Sequence, residues 1–381
     1  MSADLRCPAC GNTYADRWCC ECGQPLDFAT QPLPDGPAPA FADLDTRDGL
    51  WAFADFLPVE RAVALGAGWA PIVDSEGQRP SESRPSAGDA LDWDATFKLE
   101  YVSPTGSFKD RGAATTIARA IECGADRVIE DSSGNAGTAI ATYAARAGLD
   151  ATIYVPADAK SAKLRAIERT GADVVRIEGT RADVTAAAIE AVGDGAGWYA
   201  SHAWNPAFFA GTATFALELA AQCDWQVPEA VVCPLGHGTL FLGAYRGFRA
   251  LHTAGWIDEI PRLLGAQAAG YAPVVDRLDG RAERNDANDS DDQNDLADGI
   301  QIRDPVRIKA IVDAIQTTGG DAIAIDTETT REEHERLGRA GFDVEPTCAV
   351  APAALRKYRE RGIVADTDHV VVPLTGAGSN A

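Results

Sequence analysis

From about residue 96 onward, short apolar runs alternate with longer helix-forming stretches, and few arrangements can bury such a pattern. The runs RVIE at 127, ATIYV at 151, DVVRI at 173, AVVCP at 230, RLLGAQ at 262 and HVVVPL at 369 predict strands. The stretches 110–123, 136–147, 159–170, 183–192 and 206–223 predict helices between them. Strand–helix alternation of this kind implies an α/β fold with a mainly parallel sheet covered by helices. In such sheets ligands gather at the loops leaving the carboxyl ends of the strands.

Three of those loops are rich in glycine: DSSGNAGTA at 131–139, CPLGHGTL at 233–240 and PLTGAGS at 373–379. Loops of this type present backbone N–H groups and a helix N-terminus to an anion. A further stretch, SPTGSFKDRGA at 103–113, sets Lys109 in a small-residue turn just ahead of a helix. The chain has six lysines against 28 arginines, so a lysine at this place calls for a chemical reason. An amine can lose its proton and attack a carbonyl, whereas a guanidinium is too basic to do so.

The N-terminal 27 residues carry two C-x-x-C-G units, with Cys7 and Cys10 in one and Cys19 and Cys22 in the other. Two such turns facing each other give a four-thiolate site suited to zinc. Cys20 is an extra thiol, either a bystander or a substitute ligand. Cys123, Cys223, Cys233 and Cys348 are dispersed and read as small buried hydrophobes. His202, His252, His334 and His369 lack metal-ligand spacing, with His202 the candidate to face a site. A proline- and alanine-rich linker spans 28–45, a short helix within DGLWAFADFLPV ends at Pro58, and 74–92 reads as a loop. Residues 279–295 read as an acidic surface insertion. The net charge of -23 argues against a nucleic-acid partner and suits a high-salt setting. No apolar run reaches the roughly 18 residues needed to span a membrane, and the N-terminus has no apolar signal region, so a cytoplasmic protein is expected.

SPTGSFKDRG, SSGNAG, the glycine loop after a strand and the terminal PLTGAG, in this order, resemble the tryptophan-synthase-β-like, fold type II family of pyridoxal-phosphate enzymes. Within it, GLWAFADFLPV, LGAGWAP and the cysteine ribbon look like the threonine synthases. The resemblance implies a two-lobed fold. Residues 46–110 with 206–381 would form a large cofactor-binding lobe and 111–205 a smaller, movable one. It also implies that Lys109 carries the cofactor aldehyde as a Schiff base and later moves the substrate's Cα proton. Phe108 would pack near the cofactor ring and Asn135 would meet its hydroxyl. Gly236, His237, Gly238, Thr239 and Leu240 would cradle the phosphate, and Thr375 would meet the pyridine nitrogen. Ser132, Ser133, Gly134 and Ala136 would hold the carboxylate of a small amino-acid substrate. A homodimer is the family's habit.

The chain departs from that pattern at two points. The phosphate-gripping arginine of threonine synthases falls on Phe208 in NPAFFAGTAT, and a hydroxyl is lost at Ala136. Both SSGNAG and LADGI at 296–300 are closer to serine and threonine dehydratases. The expected activity is therefore elimination or replacement on a small amino acid. Threonine synthase, making threonine from O-phosphohomoserine, is the family label. Serine/threonine dehydratase and cysteine- or cysteate-synthase-like β-replacement are the alternatives, and a non-catalytic homologue is disfavoured by the intact Lys109, Asn135 and Thr375. Arg111 and Arg246 are the expected candidates to replace the missing arginine.

Overall fold

The computed structural model describes residues 3–75, 93–159, 161–280 and 293–381. The core of the acidic insertion and most of the 74–92 stretch lie outside the described residues. The chain begins with three two-residue strands, β1 (Leu5–Arg6), β2 (Thr13–Tyr14) and β3 (Asp27–Phe28), paired antiparallel in the order β2-β1-β3. The linker that follows is strapped to the body, because the indoles of Trp225 and Trp256 donate to Pro39 O and Gly36 O. The expected short helix is a 3-10 segment, Thr46–Phe56, interrupted at Gly49, whose φ of 61° breaks the helical run.

Next come β4 (Ile72–Asp74), β5 (Thr96–Lys98) and α1 (Lys109–Glu122). A compact α/β run follows: β6 (Arg127–Glu130), α2 (Asn135–Ala147), β7 (Asp150–Pro156), α3 (Ser161–Glu168), β8 (Asp173–Ile177), α4 (Arg181–Gly193) and β9 (Trp198–Tyr199). Its four strands form one parallel sheet in the order β8-β7-β6-β9. The chain continues through α5 (Pro206–Gln222), β10 (Ala230–Pro234), α6 (Thr239–Thr253), β11 (Arg262–Ala268) and α7 (Pro273–Leu278). It closes with α8 (Ile308–Thr318), β12 (Asp321–Ile325), α9 (Thr327–Arg339), α10 (Pro346–Glu360) and β13 (Val370–Pro373). The second sheet has the order β12-β11-β10-β13-β5-β4, parallel except for the edge pair β4–β5. All six strands expected from sequence are present. β4, β5, β9 and β12 were missed; β4, β5 and β9 are only two or three residues long.

Local chemistry sets the helix ends. Asn205 caps α5 by accepting from Ala207 N, and Pro206 supplies a helix-ready φ at the first position. Thr180 and Asp183 form a reciprocal capping box at the start of α4. The central strand β10 is buried on both faces, which explains its unbroken apolar run. Helices α1 and α5 lie close enough that a Cβ at Gly211 would strike Arg111 O, and one at Gly112 would strike the Phe208 ring.

Candidate active site

The loop before α1 is closed by Asp110, which accepts from Thr105 N and Thr105 Oγ1, both at 2.7 Å. That turn is stitched to the terminal loop: Phe108 N donates to Thr375 O at 3.1 Å, and Ala377 N to Gly106 O at 2.8 Å. Cys348 Sγ in turn receives Thr375 N and Gly376 N at 3.1 and 3.2 Å. The local fold thereby fixes Lys109 and Thr375, far apart in sequence, at one place.

They face a cavity of about 500 Å³ at the carboxyl ends of β6 and β10. The residues expected to hold the cofactor and the substrate carboxylate all line it, from Phe108 and Lys109 through Ser132–Ala136 and Gly236–Leu240 to Thr375. The Lys109 amine lies 3.9 Å from the centre of the Phe108 ring. Burial lowers its pKa to about 8, opposed by Glu345 and Glu130 and assisted by Arg181. Gly238 caps α6 with a φ of 75°, a left-handed conformation that suits glycine. A Cβ at Gly236 would crowd Ile300, so LADGI packs directly behind the glycine loop.

Gly134 is the N-cap of α2, and Ser132 Oγ accepts Gly134 N at 3.3 Å. The Asn135 amide is already engaged, donating to Glu345 Oε2 and accepting from Asn380 Nδ2, both at 3.0 Å. Neither expected replacement arginine lines the cavity. Arg111 is wholly buried in ion pairs with Glu100 and Glu218, and Arg246 pairs with Asp27. Phe208 is a core residue, stacked edge-on with His202 at 5.9 Å, and does not line the cavity either.

Sequence reasoning missed Arg181, Glu345 and Thr347, which also line the cavity, and left His202 undecided. Arg181 opens α4 directly after β8, the position where ligand-facing residues collect, and that placement was the available signal. Its Nη2 lies 3.5 Å from His237 Nε2. His202 is paired with the buried carboxylate of Glu130, through Nδ1 at 2.7 Å and its backbone N–H at 3.0 Å. Burial pushes Glu130 well above the usual carboxylate range and takes His202 down to about 3.

In the N-terminal ribbon, the sulfurs of Cys7, Cys10, Cys20 and Cys22 all lie within 4.8 Å of one another. Cys20 thus stands where Cys19 was expected. Cys19 bridges Pro25 and turns its Sγ towards the carbonyls of Cys20 and Gln24. Adjacent residues in extended chain project to opposite sides, so only one of the pair can face the cluster.

A lysine in a partly apolar cleft, opposite a glycine-cradled helix N-terminus, defines a site for a phosphate-bearing aldehyde cofactor. The chain belongs to the family of pyridoxal-phosphate dependent enzymes, whose model matches residues 72–376. It is 32% identical to the threonine synthase of Methanocaldococcus jannaschii, across 98% of this chain and 92% of that one. It is 30% identical to the threonine synthase of Methanosarcina acetivorans, across 86% and 79%. Among solved structures, a threonine deaminase from T.th. aligns with a TM-score of 0.63 at 26% identity, covering 74% of this chain and 87% of that one. The protein is a threonine-synthase-like, pyridoxal-phosphate-dependent carbon–oxygen lyase with the two-sheet fold of fold type II enzymes. The residues present suit such a cofactor: a buried lysine amine of lowered pKa and the glycine-rich Gly236–Leu240 loop at the start of α6 line the same cavity.

Proposed function

We propose that this enzyme eliminates or replaces a side-chain substituent of a small amino acid, and that the substituent is a hydroxyl or acyl group in preference to phosphate. The observation that carries the reading is Lys109 at the head of α1, set in one cavity with the Gly236–Leu240 loop. When bound, the cofactor supplies an electron sink next to the substrate Cα. Lys109 would hold the cofactor and then accept the Cα proton at Nζ. The backbone N–H groups of Gly236–Leu240 would receive the phosphate, and Ser132–Ala136 the substrate carboxylate at the start of α2. Thr375 would offer the ring nitrogen a neutral hydroxyl, and Phe108 would pack beside the ring. Asn135 would reach the ring hydroxyl by giving up its bond to Glu345.

The preference against phosphate is supported by Phe208, buried where threonine synthases place an arginine, and by the engagement of Arg111 and Arg246 elsewhere. A second reading, threonine synthesis from O-phosphohomoserine, is favoured by Arg181, the one guanidinium lining the cavity among the described residues. Comparing kcat/KM for O-phosphohomoserine, serine and threonine separates the two. Phosphohomoserine is expected to be the poorest, and its winning by more than about tenfold, near 1.4 kcal/mol, overturns the preference. Borohydride reduction followed by peptide mass analysis is expected to tag Lys109 alone.

The remaining features follow the same reading. The unit built on β6–β9 would move against the larger one to close the cleft. Zinc would be held by Cys7, Cys10, Cys20 and Cys22 as a structural ion. The acidic surface suits a cytoplasm of high salt, and a homodimer follows the family's habit.

A further inference from the structure

No step of the chemistry assigned so far uses the His202–Glu130 pair. Glu130 closes β6, fully buried, and spends both carboxylate oxygens on His202. That double contact fixes the imidazole in one orientation. The ring lines the same cavity as Lys109, with His237 edge-on at 5.3 Å and Phe208 at 5.9 Å. Nε2 has no partner among the described residues and is not one of the enclosed, unbonded polar atoms, so it opens on the cavity. With Nδ1 held by Glu130, Nε2 is the ring nitrogen left to bond a ligand or water in the cavity.

The protonation logic favours a donor. Burial disfavours a net charge on the pair. In its neutral state one proton lies between Nδ1 and Oε1, and Nε2 carries another whether the first rests on nitrogen or oxygen. The charged groups around it are Lys109, Arg181 and Asp131, and the neighbouring His237 is kept neutral by burial.

Resting on the elimination reading given above, we propose that His202 is the acid that protonates a departing hydroxyl, with Glu130 as its positioning residue, so that the substrate is a small β-hydroxyamino acid. Lys109 Nζ takes the Cα proton, and the Cα electron pair becomes the second Cα–Cβ bond. The Cβ–O bond breaks with its electrons on oxygen, and Nε2–H breaks to make the new O–H bond, releasing water. The ammonium on Lys109 then faces a pair left with one negative charge, and passing that proton to Nε2 restores both groups. A hydroxyl needs this proton to leave; a halide does not.

The test compares pyruvate formation from L-serine and β-chloro-L-alanine by holoenzyme, His202→Asn and Glu130→Gln, with cofactor loading followed by absorbance. His202→Asn is expected to lower kcat/KM for serine by about 100-fold or more, and the serine-to-chloroalanine ratio by at least about 30-fold. Glu130→Gln is expected to move the ratio the same way by a smaller factor, and it carries the test if the histidine variant does not load cofactor. A ratio unchanged within about threefold in the loaded variants overturns the proposal. So does wild-type turnover of chloroalanine without serine, which leaves the elimination reading standing. No pyruvate from either substrate overturns both.

Discussion

Lys109 is where burial becomes chemistry. Taking an ammonium out of water disfavours its charge, and here that outweighs the pull of Glu345 and Glu130, leaving a pKa of about 8. A larger share of the amine is therefore neutral near pH 7 than in a free lysine. Cofactor uptake by the cofactor-free protein is expected to rise with pH to a midpoint near 8, read by stopped-flow absorbance. The stability contribution has a definite sign. The folded pKa is below the unfolded value, so the cofactor-free protein gains stability as pH rises from about 8 towards about 10.4. Lys109→Arg keeps a cation but removes the nucleophile. It is expected to bind no cofactor covalently and to lose turnover by at least about 1000-fold, while circular dichroism stays native. The lysine was legible because its whole turn, down to Asp110, is one local motif. Arg181 and the His202–Glu130 pair were not, because their partners are 56 and 72 positions away.

At the scale of elements, a buried ion network joins α1, α5 and the β5 region. Lys98 Nζ meets Glu218 Oε1 at 2.6 Å, and Arg111 meets Glu218 Oε2 and Glu100 Oε1, each at 2.8 Å. All four side chains are fully buried, with Gln222, Thr214 and Ala70 O completing the hydrogen bonds. Two cations balance two carboxylates, so removing one member strands a charge. Glu218→Ala is expected to cost about 3–5 kcal/mol in urea unfolding. Replacing Lys98 and Glu218 together by methionine is expected to recover much of that loss, since Arg111 keeps Glu100. The helix patterns revealed α1 and α5. They gave no sign that Arg111 would serve this network rather than a ligand, because its partner Glu218 is brought in by the tertiary packing of α5.

Across the whole molecule, the ribbon docks through Asp27, which meets Arg246 and Arg307 at 2.8 Å each, while Arg307 also donates to Leu26 O and Trp204 O. Burial raises the Asp27 pKa, but the two guanidinium groups more than reverse that and hold it at about 2. Its contribution is present above the unfolded pKa near 3.9 and is lost as pH falls towards 2. Chelating the zinc proposed for the ribbon is expected to lower the melting temperature while cofactor affinity, followed by absorbance titration, stays within about twofold. Loss of cofactor with the fold intact would contradict a bracing role. The sequence by itself determined the α/β order, the lysine turn, the glycine loops and the cysteine-rich start, because each is local: a hydrophobic period or a few adjacent residues. Tertiary structure alone decided that Cys20 and not Cys19 faces the cluster, that Arg181 reaches the cavity while Arg111 and Arg246 do not, and that a buried carboxylate orients His202. Those choices depend on which distant side chains share a small buried volume, and burial makes each charge seek a partner that no local pattern names.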